Sequence, residues 1–236
     1  MTELSQAWDE NGESFIRWAR EPGHDSYWQF HRDQFLPLLP EPPRRTLDLG
    51  CGEGRLTRHL AGMGYDVRGV DRLPAMVAAA READPSIEID LADAAALPYP
   101  DASFDLVVAF LSLMDMDDMA GAVRETARVL VPGGLLCLAV VHPINAAGTF
   151  EDSSFVISGS YLESSIYREV ATHNGLEMTF VGRHVPLETY ADALADAGFV
   201  IERLREPAVP EHAIEKERDR RWQRVPLFMH IRAARR

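Results

Sequence analysis

The sequence predicts an α/β fold, a mostly parallel sheet with helices on both faces. Three observations carry that prediction. Strand-like and helix-like segments alternate from Arg45 to Val141. A glycine-rich turn joins the first of those strands directly to the first helix. Acidic residues, Asp71 and Asp93, then close the second and third strands.

In chain order, residues 1–36 read as helical, with aromatics at Phe15, Trp18, Tyr27, Trp28, Phe30 and Phe35. A proline-rich stretch from Pro37 to Pro43 breaks the helix before the core begins. Residues 46–49 form a short apolar strand running into Gly50. Residues 54–63 repeat apolar side chains at Leu56, Leu60 and Met63, a helix stopped by Gly62 and Gly64. Residues 65–70 form a second strand, and Pro74 suits the first turn of the alanine-rich helix after it. Residues 86–91 form a third strand. Residues 104–110, nearly all apolar, form a fourth buried on both faces. Asp117 is the expected cap of a helix that buries Val123, Ala127 and Leu130. The Pro132-Gly-Gly turn leads into a fifth strand over 135–141. Residues 144–184 break the rhythm and are too long for an ordinary loop, so a cap with its own short strands is expected. A helix over 188–197, stopped by Gly198, and two strands over 200–205 and 227–233 complete the pattern.

The chain has 236 residues, room for one sizeable core rather than two domains. The expected division is a helical lid over 1–44, a core over 45–143, the cap over 144–184 and a C-terminal part of the core over 185–236. A formal charge of -13 would repel phosphate-rich partners, so nucleic acid is an unexpected substrate. Against that balance, residues 202–236 carry ten Lys and Arg and six Asp and Glu. Within them, 211–224 mixes both signs at the spacing of a solvated, ion-paired helix. No apolar run approaches the ~20 residues of a membrane span. The polar, acidic start is unlike a signal peptide. Cys51 and Cys137 fall inside core motifs, so a reducing cytoplasm is the expected setting.

The most informative segment is Leu-Asp-Leu-Gly-Cys-Gly-Glu-Gly over 47–54. Glycines at alternate positions between strand and helix let the backbone turn sharply and let a ligand approach closely. The helix N-terminus beyond them offers free N–H groups. The spacing is G-x-G-x-G, whereas a dinucleotide fingerprint would be G-x-G-x-x-G, and position 55 is arginine. Asp71 stands 17 residues beyond Gly54, where a carboxylate can accept from vicinal ribose hydroxyls. The glycine turn, Asp71 and Asp93 each follow a consecutive strand, so they converge on one crevice.

These stretches, with Glu125-Thr-Ala-Arg-Val-Leu-Val-Pro-Gly-Gly134, resemble class I S-adenosylmethionine (SAM) dependent methyltransferases of the bacterial small-molecule group. The resemblance covers roughly 45–141. It implies a Rossmann-like seven-stranded sheet of order 3-2-1-4-5-7-6, with strand 7 antiparallel. It implies SAM as cofactor, with Gly50, Gly52 and Gly54 against the methionine part and Asp48 beneath. Asp71 would hold the ribose, and Arg72 would flank the adenine. Asp93 and the Ala94 N–H would meet the adenine edge, and a carbonyl of Phe110 or Leu111 the ammonium. Cys51 fills space in the same turn.

On the acceptor side, residues 110–118 lack an Asn-Pro-Pro-Tyr type motif, which in the family marks methylation of amino groups of bases and glutamine. That suits a small organic acceptor, with aromatic lining favouring an aromatic one and a natural-product setting. Trp28 and Met114 are the expected substrate contacts. Tyr27 and His31, one helical turn apart, and His142, at the end of the fifth strand, are the candidate catalytic groups. No Cys/His cluster has metal-ligand spacing, so no metal is expected. A catalytically inactive SAM-binding protein and an NAD-dependent oxidoreductase are the rival readings. Oligomeric state is not legible.

Overall fold

The computed structural model describes all residues except 1, 23, 25, 26, 28–30, 174, 215 and 216, and the side chain of Arg218. A seven-stranded sheet forms its centre. In chain order its strands are β1 (Arg45–Leu49), β2 (Asp66–Asp71), β3 (Ile89–Leu91), β4 (Phe104–Phe110) and β5 (Leu130–Val141). Outside the sheet follow two short strands, β6 (Thr149–Glu151) and β7 (Ser154–Val156), and two longer ones, β8 (Ser165–His173) and β9 (Leu176–His184). β10 (Phe199–Arg205) and β11 (Phe228–Arg235) return to it. The spatial order is β3-β2-β1-β4-β5-β11-β10. β11 runs antiparallel to β5 and β10, and the other pairs are parallel. This is the order the resemblance implies.

Side-chain alternation assigns the two faces. Val107 and Ala109 of β4, with Leu136 and Leu138 of β5, pack in one cluster with α5 (Met119–Val129) and α7 (Leu187–Asp196). Leu106, Val108 and Phe110, with Cys137 and Ala139, pack in the other against α2 (Arg32–Phe35) and α3 (Arg55–Gly62). Both faces are covered, which is why β4 lacks polar alternation.

Three local expectations are corrected. Residues 1–36 are not one helical run: α1 covers Glu3–Arg20, and α2 begins only at Arg32. The cap of α5 is Asp118, whose Oδ1 accepts from Gly121 N at 2.7 Å, not Asp117. Asp117 instead accepts from the hydroxyls of Thr2 and Ser5 and so ties α1 to the loop after β4. The ion-paired segment over 211–224 is two short 3-10 stretches, Glu211–Ala213 and Glu217–Gln223. Arg220 bridges them to Glu211 at 2.6 Å and to Glu217 at 3.1 Å.

Residues 144–184 begin with α6 (Pro143–Ala147) and continue as two antiparallel hairpins, β6–β7 and β8–β9. The second leans on α1: Trp8 Nε1 donates to Val181 O at 3.1 Å, and Leu4, Ala7 and Val181 form a small buried cluster. Among the described residues, no helix is long and apolar enough to cross a membrane.

Candidate active site

A cavity of about 480 Å³ opens at the carboxyl ends of β1, β2 and β4. Its floor is the turn after β1. Gly50, Gly52 and Gly54 have φ of +72°, +56° and +80°, a region costly for side chains. The turn is tied down by Gly50 N and Cys51 N, which donate to Val70 O at 2.9 and 3.0 Å. The three glycines do different work. A Cβ on Gly50 would stand 2.6 Å from Cβ of Ser112, so this glycine admits the loop after β4. A Cβ on Gly52 would meet only Phe15, at 3.7 Å, so this position faces the open cavity. Gly54 is not on the wall: a Cβ there would lie 2.9 Å from Ala80 Cβ, so it closes α3 onto α4 (Pro74–Ala83). Cys51 lines the cavity, and its sulfur packs on Gly69 of β2.

Asp48, Glu53, Asp71 and Asp93 line this half, and Glu53 is paired with Arg58 at 2.8 Å. Asp48 is buried, accepts from Thr57 Oγ1 at 2.6 Å and is pushed up to about 7 by burial, against the opposing Thr57 bond. Asp71 accepts from Gly52 N and Leu73 N, both at 2.9 Å, and burial raises it as well. These two bonds leave lone pairs of the carboxylate for a ligand. Asp93 accepts from Ala95 N at 2.8 Å, and Ala94 stands beside it on the wall. Arg72 also lines it, with Nη2 donating to Ser5 O at 2.9 Å. Phe110 and Leu111 close the β4 side, and Leu111 has φ of +53°. Ser112 Oγ donates to Leu49 O at 2.6 Å and locks that loop to the end of β1.

Residues 47–138 match a family model described as a methyltransferase domain. The fold matches an S-adenosylmethionine dependent methyltransferase from Mesorhizobium loti with a TM-score of 0.70 and 29% identity, over 89% of this chain and 98% of that one. Over these residues the chain is similar to class I SAM-dependent methyltransferases. Among curated relatives, a 27-O-demethylrifamycin SV methyltransferase from Amycolatopsis mediterranei is 34% identical, over 57% of this chain and 53% of its own length. A malonyl-[acyl-carrier protein] O-methyltransferase from Halorhodospira halophila is 42% identical, over 43% of this chain and 36% of its own. The chain thus spans about half of the length of these relatives or less.

The residues of this site fit SAM. The open face at Gly52, the spare lone pairs of Asp71 and the line of acids from Asp48 to Asp93 suit a cationic nucleoside with free ribose hydroxyls.

The other half of the cavity is walled by distant segments. Trp8, Phe15 and Trp18 come from α1, and Phe180 from β9. Trp8 meets Phe15 edge-on at 5.5 Å, and Trp18 meets Phe180 at 5.8 Å. Tyr167, Glu169 and Ala171, alternate residues of β8, present one strand face as the roof. Asp115 lies deep, beside Trp8 and Tyr167. Burial holds its carboxyl well above the ordinary range, and the Asp71 charge adds to that. Met114 lines the cavity as expected, whereas Trp28 lies outside the described residues.

The three candidate catalytic groups are not brought to this wall. Tyr27 is fully buried, with its hydroxyl 2.5 Å from His59 Nδ1 and its ring edge-on to Phe110. His31 is fully buried, with Nδ1 3.2 Å from His230 Nε2 and its ring against the same Phe110. Phe110 lines the cavity, so both residues stand in the core layer behind it. His142 caps α6: its Nδ1 accepts from Ile144 N at 3.1 Å, and its Nε2 lies 2.9 Å from Glu206 Oε1. Burial depresses His142, with Glu206 opposing. Sequence reasoning missed Asp115, Glu169 and Arg221. The alternation of Tyr167, Glu169 and Ala171 was the available signal for the roof.

Proposed function

We propose that this chain transfers the methyl group of SAM to a small organic acceptor with an aromatic ring. One observation carries the reading: a single cavity joins the glycine turn and its acids to a chamber walled by Trp8, Phe15, Trp18 and Phe180. Bound SAM supplies a methyl already activated by its sulfonium, so the protein's contribution is to place a nucleophile and exclude water.

In this reading Asp71 receives the ribose hydroxyls, and Asp93 with the Ala94 N–H the adenine edge. Asp48 sits beneath the methionine part, and a carbonyl of Phe110 or Leu111 receives the ammonium. The left-handed φ of Leu111 supports that last role, because backbone strain concentrates where a carbonyl must be aimed. The β8–β9 hairpin, the heart of the cap over 144–184, covers the acceptor and keeps water out. Asp115 takes the acceptor's proton. Burial weakens it as an acid, and its carboxylate is a correspondingly stronger base.

The test is mass spectrometry after incubating the protein with SAM and a panel of hydroxylated and aminated aromatic acceptors. A methylated product with matching S-adenosylhomocysteine is the expected result. Binding of S-adenosylhomocysteine without turnover across the panel would favour an inactive SAM-binding protein. A thermal shift with NAD and none with S-adenosylhomocysteine would overturn the cofactor reading.

A further inference from the structure

Among the described residues, Arg55, Arg72 and Arg221 line the cavity. Arg72 donates to Ser5 O at 2.9 Å, and Arg55 stands over the Tyr27 ring at 5.6 Å. Arg221 differs. It lines the cavity from the stretch that precedes β11. Its guanidinium lies 5.2 Å from the ring centre of Phe150 and 4.7 Å from that of Trp222. Its Nε–H is covered by protein and meets no acceptor, and no carboxylate among the described residues pairs with it. Its terminal nitrogens are not enclosed and bond nothing described.

Position assigns this residue to the acceptor half. The glycine turn and its acids follow β1, β2 and β3, whereas Arg221 stands by Leu227 and Phe228 at the start of β11, on the far side of β4 and β5. We propose that Arg221 is the anion-recognising residue of the acceptor subsite and that the acceptor carries a carboxylate. This rests on the reading that this half receives the acceptor.

The chemistry favours a carboxylate. A guanidinium keeps its charge at every working pH, and leaving its donors unmatched beside apolar walls is costly. Two aromatic rings fix its position, which lowers the entropy lost when a planar, two-oxygen anion docks on its edge. The surroundings reinforce each such bond, because Val141, Leu227 and Phe228 line the same wall. Asp115, Asp117, Asp118 and Glu169 also line the cavity, and none of them forms an ion pair with Arg221. The Arg221 charge acts on Glu169 without an ion pair between them, so the arginine is not neutralised by the roof.

The test uses the whole protein saturated with S-adenosylhomocysteine, so that only the acceptor half is open. Titration calorimetry compares three acids with their neutral amides: benzoate with benzamide, 3-phenylpropionate with its amide, and hexanoate with its amide. At least one acid is expected to bind tenfold or more tighter than its amide. Arg221→Gln should erase that preference while leaving S-adenosylhomocysteine affinity within twofold, which also reports an intact fold. Arg221→Lys, which keeps the charge and loses the fork, should retain part of the preference. Equal binding of acid and amide, no binding by any acid, or an undiminished preference in Arg221→Gln each overturns the proposal while the cofactor reading stands. Loss of S-adenosylhomocysteine binding in the unmodified protein would overturn the cofactor reading itself.

Discussion

Between Asp48 and Asp93 the chain builds one half of the cavity from three consecutive strand ends and a single turn. The aromatic half draws Trp8 from α1, Asp115 from the turn after β4, Glu169 from the β8–β9 hairpin and Arg221 from the approach to β11. The glycine half is backbone-made: φ values, amides and carboxyls at fixed places along the sheet. The aromatic half is side-chain-made and depends on four segments meeting. A half of the first kind can persist while one of the second kind changes its guest, and damage to either should stay local.

Asp115→Asn should break the aromatic half alone. A positioned proton acceptor contributes ~10²–10⁴-fold. Turnover on any accepted substrate should fall by that order while S-adenosylhomocysteine affinity holds within twofold. Single-turnover kinetics beside calorimetry would check it, and a matching loss of cofactor affinity would join the two halves into one unit.

The reciprocal change is Asp71→Ala. Hydrogen bonds to a charged group are worth ~1.5–3 kcal/mol, so SAM affinity should fall about ten- to a hundredfold. The variant also frees Gly52 N and Leu73 N, which donate to different oxygens of Asp71, so the melting temperature should drop; Asp71→Asn keeps one acceptor and sets an amide NH2 against the other N–H, so it should restore only part of the stability and little of the affinity. Unchanged SAM affinity by calorimetry would remove Asp71 from the cofactor site.

A pH series separates buried groups of the two layers. His230 is depressed to about 4 by burial, so its unfolded form takes up a proton that the folded form refuses. Its contribution raises stability as pH climbs from about 4 to ~6.5, by up to about 1.4 kcal/mol per pH unit. Asp48, raised to about 7, acts with the opposite sign: its contribution is complete below ~3.9 and is lost as pH rises through about 7. The two oppose each other across the overlap. Asp48→Asn should therefore steepen the rise of stability with pH by up to about 1.4 kcal/mol per unit relative to the parent. Denaturant melts at pH 4.5, 5.5 and 6.5 would measure that difference, and parallel curves would mean Asp48 titrates normally.

The smallest effect is expected at Tyr27→Phe. Removing one buried hydroxyl from His59 should cost ~1 kcal/mol, a melting shift of roughly 2–4 °C, with turnover and cofactor affinity intact. A fall in kcat at unchanged melting temperature would return Tyr27 to the active site.

The glycine half was readable because its signals are local. A glycine forced to positive φ, a strand ending in aspartate and an apolar β4 each announce themselves within a few residues. The aromatic half was not. The spacing of Tyr27 and His31 says that they share a face of a helix, but not that Phe110 stands between that face and the cavity. Adjacent acids Asp117 and Asp118 are equivalent as sequence, and only the position of α1 gives one to Thr2 and Ser5 and the other to Gly121. Mixed charges over 211–224 suit a helix. Yet Arg220 reaches Glu211, nine residues away, across a chain that has turned, and the next residue is thereby placed on the cavity wall. Spacing alone cannot reveal a partner whose nearness is created by the fold.

The place of β11 in the sheet has a consequence for how the molecule comes together. Among the described residues, β10 is hydrogen-bonded to no strand but β11, which in turn lies against β5, paired from Phe228 opposite Val141. The earlier strand of this pair must wait for the later one before it has a place. Joining β11 to β5 also closes a very long stretch of intervening chain, a slow kind of step because entropy is lost well before contacts form. That step brings Arg221, Trp222 and Phe228 to the chamber. The nucleotide-facing turn can therefore exist before the chamber does, and refolding followed by pulsed hydrogen exchange should find amides of β1, β2 and β4 protected before those of β10 and β11.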